Sequence, residues 1–209
     1  MSTHSPHANA LSQRRVMLLA AATGLIVASN YYAQPLLQLL DGAFGLGAGT
    51  VGWVVTVAQL SYAAGLLLIV PLVDRLERRQ LIVALFVLAA LGLLVSASAG
   101  HFAQLLAGTA LSGLCAVAAQ VIIPHAATLA APERRGRVVG TLMAGLLLGI
   151  LLARTASGVL AGIGTWQTVY GVAGAALLLM ALALALTLPA YRPQATLSYP
   201  RLLASVLSL

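Results

Sequence analysis

The chain contains no lysine, a single cysteine and only four acidic residues in 209 positions. Each scarcity closes off a class of function. Cys115 alone cannot form an internal disulfide or build a cysteine-based metal site, and His4 and His7 are too isolated to argue for one. There is no G-x-S-G, no H-E-x-x-H and no carboxylate deep in any apolar run, so an intramembrane enzyme is disfavoured. Thr155-Ala156-Ser157-Gly158 lacks the leading glycine of a serine motif. Charge of either sign is also scarce, at 7% of residues, where soluble domains carry about 25%. With 61% hydrophobic residues and a mean hydropathy of +1.00, the composition is that of an integral membrane protein. No cofactor is implied.

What is present is a series of long apolar runs. Six are expected to span as helices: Val16–Leu40, Val51–Val73, Gln80–Ser98, Phe102–Leu129, Val138–Ile163 and Gln167–Leu188. Each reaches the roughly 20 residues that cross a bilayer. The first is too long for a cleavable signal peptide and no small-residue cleavage site follows it. The breaks between runs are short, which makes neighbouring helices antiparallel. The net charge of +7 does not point to nucleic acid, because its sources are short loop clusters. Arg14 and Arg15, then Arg75, Arg78 and Arg79, then Arg134, Arg135 and Arg137, then Arg192 and Arg201 all fall on one side. Ten of the eleven arginines are therefore co-facial. By the positive-inside rule both termini are expected in the cytoplasm. Residues 1–15 read as a cytoplasmic tail, 16–188 as the membrane domain and 189–209 as the start of a cytoplasmic linker.

Polar residues at membrane depth mark where function is expected. Within the first run, Thr23, Asn30, Gln34, Gln38 and Asp41 fall within about one quadrant of a helix, a stripe that lipid would penalise. Thr56, Gln59 and Tyr62 in the second run, Thr109 and Gln120 in the fourth, and Arg154 and Ser157 in the fifth continue the pattern. The third and sixth runs are almost purely apolar and are expected at the periphery, around a central group of four. Gln34-Pro35 in the first run and Gln120 with Pro124 in the fourth lie at corresponding distances from their helix starts, as an inverted three-plus-three repeat predicts. Candidate substrate-binding residues are Asn30, Tyr31, Tyr32, Gln34, Gln59, Gln120 and Arg154. Arg154 would cost about 2.5–3.5 kcal/mol at a helix centre, so it is expected to have a partner, a substrate or a wet cavity. For each of these residues a packing role is the competing reading. The same holds for Gly145-x-x-x-Gly149 and Gly158-x-x-x-Gly162, which suit close helix approach. Cys115 reads as a small buried residue, and His125 as a lone histidine near the cytoplasmic end.

Two stretches carry a family resemblance: Ser29-Asn30-Tyr31-Tyr32-Ala33-Gln34-Pro35-Leu36-Leu37, and Asp74-Arg75-Leu76-Glu77-Arg78-Arg79. The second is similar to the loop G-x-L-A-D-R-x-G-R-K/R, with Leu72, Asp74, Arg75, Arg78 and Arg79 matching and Val70 and Glu77 replacing glycines. On these residues the chain resembles the N-terminal six-helix half of a bacterial major facilitator superfamily transporter, nearest to sugar and drug efflux permeases. Pro132–Arg137 also looks like that family's loop between spans four and five. The resemblance implies an all-α membrane fold of six helices in a 3+3 inverted repeat, and transport by alternating access between two halves. It makes Asp74, Arg75, Arg78 and Arg79 a cytoplasmic gating loop, Asp74 facing a helix N-terminus of the opposite half. Two features depart from it: residues 108–113 lack the arginine common in the fourth span, and Gly149–Arg154 keeps only the first glycine of G-P-x-x-G-G. The leading expectation is a small-molecule efflux transporter in the lipid bilayer. The alternative is a truncated or half-size protein that acts only with a second six-helix half or as a homodimer.

Overall fold

The computed structural model describes residues 12–74 and 76–188, without the side chains of Ala48 and Asp74. Helices within it are α1 (Gln13–Ala28), α2 (Leu37–Phe44), α3 (Ala48–Val51), α4 (Trp53–Leu68), α5 (Arg78–Ala97), α6 (Phe102–Cys115), α7 (Ala118–Leu129), α8 (Arg135–Ile163) and α9 (Trp166–Thr187). Among the described residues, five segments are long and apolar enough to cross a membrane: Gly49–Val73, Arg78–Ala97, Phe102–Leu129, Pro132–Ile163 and Trp166–Thr187. They match five of the expected runs to within a few residues.

The first expected run is not one continuous helix, and the reason is chemical. Proline has no N–H and its ring clashes with the carbonyl four residues earlier, so Pro35 acts on Tyr31. The chain leaves α-geometry just ahead of that point: Ser29, Asn30 and Tyr31 each donate to the carbonyl three residues back, at 3.3, 3.2 and 2.9 Å. A 3-10 turn follows at Gln34–Leu36, and Leu36 donates to Ala33 instead of Tyr32. Thr23 and Ser29 also turn their hydroxyls onto the carbonyls of Leu19 and Ile26, a bonding pattern that bends helices. The Phe102–Leu129 segment is interrupted likewise, between α6 and α7 at Ala116 and Val117. The first break follows 16 helical residues and the second 14, the correspondence an inverted repeat requires.

Packing repeats the same symmetry. α1 lies against α8, α4 lies against α6, and α5 lies against α9. Glycine makes the first two approaches possible. A side chain on Gly24, Gly145 or Gly149 would overlap the facing backbone of α8 or α1, and a Cβ on Gly113 of α6 would sit 2.7 Å from the Ala58 carbonyl oxygen of α4. Gly158 and Gly162 have nothing near them, so only the first of the two expected glycine pairs brings helices together. The third and sixth runs keep exposed apolar side chains, among them Leu88 and Leu91 of α5 and Leu179 and Leu186 of α9, and they also pack on each other. α5 is held between α6 and α9 by Ala89, Ala90, Gly92, Leu93 and Ser96, all buried. Small residues let backbones approach closely in apolar surroundings, where van der Waals contact drives association. The second and fifth runs are the less buried ones, with Trp53, Leu60 and Leu67 of α4 and Leu147, Leu151 and Val159 of α8 exposed as well.

At one end of the bundle, Phe44 lies edge-on to Phe102 and tilted against Trp166, with ring centroids 5.8 and 5.6 Å apart. This cluster ties the end of α2 to the starts of α6 and α9. At the other end, Arg79 donates to the Ala185 carbonyl near the end of α9, and Arg78 Nη1 donates to Thr128 Oγ1 of α7 at 3.3 Å. Cations suit helix C-termini.

Candidate functional site

The two breaks set the position of the site. Unwinding after α1 holds Asn30 and Tyr31 beside the end of a helix rather than on its side. The break before α7 puts Gln120 in a new first turn. α4 contributes Gln59 and Tyr62, whose i,i+3 spacing places them on one face. These five polar side chains surround a cavity of about 340 Å³, closed on the remaining side by Val27 of α1 and Leu146 and Ile150 of α8.

No charged group lines this cavity; its chemistry is that of amides and phenols. Gln120 Nε2 donates to Tyr62 Oη at 3.1 Å, which leaves the phenolic hydrogen free to be donated elsewhere. Asn30 is buried, and its Oδ1 has no hydrogen-bond partner. An unsatisfied buried acceptor costs about 1–3 kcal/mol, so a ligand N–H or O–H reaching Asn30 would be favoured. Gln59 is exposed towards the cavity opening. The walls thus offer an acceptor, a donor and free amides across a space large enough for a small molecule.

The structure brings together four of the expected binding residues, Asn30, Tyr31, Gln59 and Gln120, and adds Tyr62. It separates three others. Tyr32 follows Tyr31 in the broken segment and points the other way, into an apolar groove of about 490 Å³ between α1 and α8. Gln34 is half-buried in the 3-10 turn and does not reach the cavity. Arg154 is exposed on α8 and lines neither space. The cavity-facing positions on α8 are Leu146 and Ile150, one turn apart, and the next position in that series is Arg154. Its side chain passes beyond the cavity to the uncovered surface.

Ser157 has a role that its polarity alone did not identify. Its Oγ donates to the Tyr32 carbonyl at 2.9 Å, the acceptor that Leu36 gave up at the break. Of the expected gating residues, Arg78 and Arg79 bond to α7 and α9 of the same bundle; Arg75 and the side chain of Asp74 lie outside the described residues. No group of three or more metal-ligating side chains occurs among the described residues.

Comparison with known proteins agrees with this architecture. A family model described as Major Facilitator Superfamily matches residues 19–207. The chain is 55% identical over 199 residues to a putative uncharacterized transporter, YgaY, of Escherichia coli K12, covering 95% of this chain and 50% of that one. It is 35% identical over 177 residues to a probable transporter, SCO4007, of Streptomyces coelicolor, covering 85% and 41% respectively. A D-xylose transporter of Levilactobacillus brevis is 30% identical over 159 residues, covering 75% and 33%. Among solved structures, a bacterial homolog to the human lysosomal transporter Spinster, inward-facing and unoccupied, aligns with a TM-score of 0.68 at 21% identity. That alignment covers 88% of this chain and 44% of the other. The chain spans about half the length of the curated relatives it matches. Sequence, fold and the paired helix breaks converge, and the chain belongs to the Major Facilitator Superfamily.

Proposed function

We propose that this chain forms one half of a transporter that moves a small, uncharged, hydroxylated solute across the bacterial inner membrane by alternating access. The broken segment from α1 to α2 counts as the sixth crossing, and both termini are cytoplasmic. The observation that carries the proposal is the cavity formed by Asn30, Tyr31, Gln59, Tyr62 and Gln120 where four membrane segments meet. Its mixed donors and acceptors suit hydroxyl groups, and its lack of charge disfavours ions. A relative bearing the name D-xylose transporter is compatible with such a solute. Outward transport is the direction implied by the resemblance to efflux permeases.

Asn30 supplies the unmet acceptor, and Tyr62, oriented by Gln120, supplies a donor. Tyr31 offers a ring face and Gln59 an exposed amide. The uncovered faces of α4 and α8 are where a second six-helix half would close the other wall, and Arg154 stands on that boundary. Tyr32 and Gln34 shape the break that positions Asn30. The family resemblance assigns Asp74 and Arg75 to the cytoplasmic gate, while Arg78 and Arg79 anchor the start of α5 to its own bundle. A second reading, a half-protein active only when paired with another membrane chain, is favoured by the same uncovered faces.

The test uses cysteine substitutions at Asn30, Gln59 and Arg154 in membranes containing the full chain. Alkylation rates are measured with and without D-xylose and other neutral pentoses and hexoses. Protection at Asn30 and Gln59, with Arg154 unchanged, is the expected result. If no neutral sugar slows alkylation at either cavity position, the substrate assignment fails.

A further inference from the structure

Hydroxyl groups in this bundle mostly serve their own helices. Thr23, Ser112, Thr141 and Thr187 each donate to a carbonyl three or four residues back, at 2.6 to 3.1 Å, the usual local bond for a helical serine or threonine. For Ser157 the corresponding acceptor is the Ala153 carbonyl, and Ser157 does not take it. Its Oγ crosses to the Tyr32 carbonyl, 2.9 Å away, from a fully buried position. Ser96 also reaches a neighbouring helix, but at 3.5 Å and onto a carbonyl inside the regular α6. Irregular backbone at membrane depth persists where its freed polar groups find partners, serine and threonine side chains among them. The bond from Ser157 meets that need at the break in the first run.

That break also carries the solute-facing side chains. Asn30 and Tyr31 turn to the cavity, and Tyr32 turns to the groove between α1 and α8. Holding the Tyr32 peptide therefore limits how far the two residues before it can rotate. α8 grips this segment at two levels. Gly145 and Gly149 meet the backbone of α1 at Ala20 and Gly24, and Ser157 lies eight residues past Gly149, about 12 Å along the helix. The glycines hold α1 where it is regular, and the Ser157 bond holds it where it is not.

We propose that Ser157 is a positioning residue for solute binding: without touching the solute, its bond to the Tyr32 carbonyl keeps Asn30 and Tyr31 aimed into the cavity. This role rests on the reading of that cavity as the solute site. It also links the site to the outer face of α8, where Leu147 and Leu151 are exposed, so a shift of α8 moves the segment that bears Asn30.

The test is solute-free alkylation by N-ethylmaleimide of Asn30→Cys, on the break, and of Gln59→Cys, on α4, in membranes containing the full chain. Adding Ser157→Ala is expected to speed alkylation at Asn30→Cys several-fold and to leave Gln59→Cys unchanged. Adding Ser112→Ala, which removes another buried hydroxyl away from the break, is expected to change neither. An unchanged rate at Asn30→Cys would show that the break keeps its shape without Ser157. Faster alkylation at both positions, or loss of the folded chain, would make Ser157 a general stabiliser of the bundle; each of these results overturns the proposal. Because no solute is present, failure here leaves the sugar assignment intact, and failure of that assignment leaves these rates as expected. Where a neutral sugar protects Gln59→Cys, Ser157→Ala should weaken the protection several-fold, and undiminished protection would equally overturn the positioning role.

Discussion

Ser157 and Tyr62 show how single polar groups act once water is absent. The hydroxyl of Ser157 is fully buried and reaches a carbonyl released by the proline break. Membrane hydrogen bonds average about 0.6 kcal/mol and reach about 1.7, and this one satisfies a backbone acceptor that has no other partner in the turn. Ser157→Ala is therefore expected to destabilise the bundle by about 1–2 kcal/mol, read as a lower midpoint in denaturant titration of the purified chain. No change in midpoint would mean that another group satisfies the Tyr32 carbonyl. Tyr62→Phe makes a complementary case. It removes the phenolic oxygen that accepts from Gln120 while keeping the ring. Stability should fall by under about 1 kcal/mol, whereas sugar protection of a cysteine at Gln59 should weaken by about tenfold, the effect of losing one useful hydrogen bond of roughly 1.4 kcal/mol. Protection undiminished in Tyr62→Phe would remove that hydroxyl from the site.

At the scale of helices, backbone contact between α1 and α8 determines whether the bundle can close. Gly149 packs on Gly24 so tightly that any Cβ overlaps its backbone, while Gly158, nine residues further along the same helix, faces open space. Gly149→Leu should abolish accumulation of folded protein, and Gly158→Ala should leave it unchanged or slightly raised, since alanine favours helix by about 1 kcal/mol over glycine. Size-exclusion profiles of the two variants make the comparison; a monodisperse Gly149→Leu peak would refute the close approach. The same pair shows what was legible in the sequence. Two G-x-x-x-G motifs on α8 look alike as strings, and only the placement of facing helices distinguishes them. Apolar run lengths and the arginine clusters marked the bundle because they follow directly from the cost of putting charge into lipid. Pro35 marked the first break, because a missing N–H is a local property. The burial of α5 was not legible, since its small residues read as featureless apolar sequence until α6 and α9 lie against them. Arg154 is a related case. One further turn along α8 carries the Leu146–Ile150 face out of the cavity, and polarity alone does not report where a cavity ends.

For the molecule as a whole, orientation in the bilayer follows from charge and from the two differently stitched ends. The aromatic cluster of Phe44, Phe102 and Trp166 lies at the end whose connecting turns carry no arginine; Arg78, Arg79, Arg134, Arg135 and Arg137 lie at the other. Positive loops are retained in the cytoplasm, so the aromatic end should face outward. Cys115 makes this simple to test, because at 1% exposure it should contribute little background reaction with a thiol reagent. Cysteines introduced at Gly49, in the short helix α3, and at Gly100, in a turn, sit at the aromatic end with no neighbouring atoms to crowd them. Leu76 and Glu133 are exposed positions at the arginine end. A membrane-impermeant maleimide added to intact cells should modify the first two and spare the second two, and lysis should make all four reactive. Modification of Glu133→Cys from outside would invert the orientation. The solute cavity and the breaks would keep their geometry in that case, but Arg78 and Arg79 would have to anchor α5 at the outer surface, against the charge bias that the loops display.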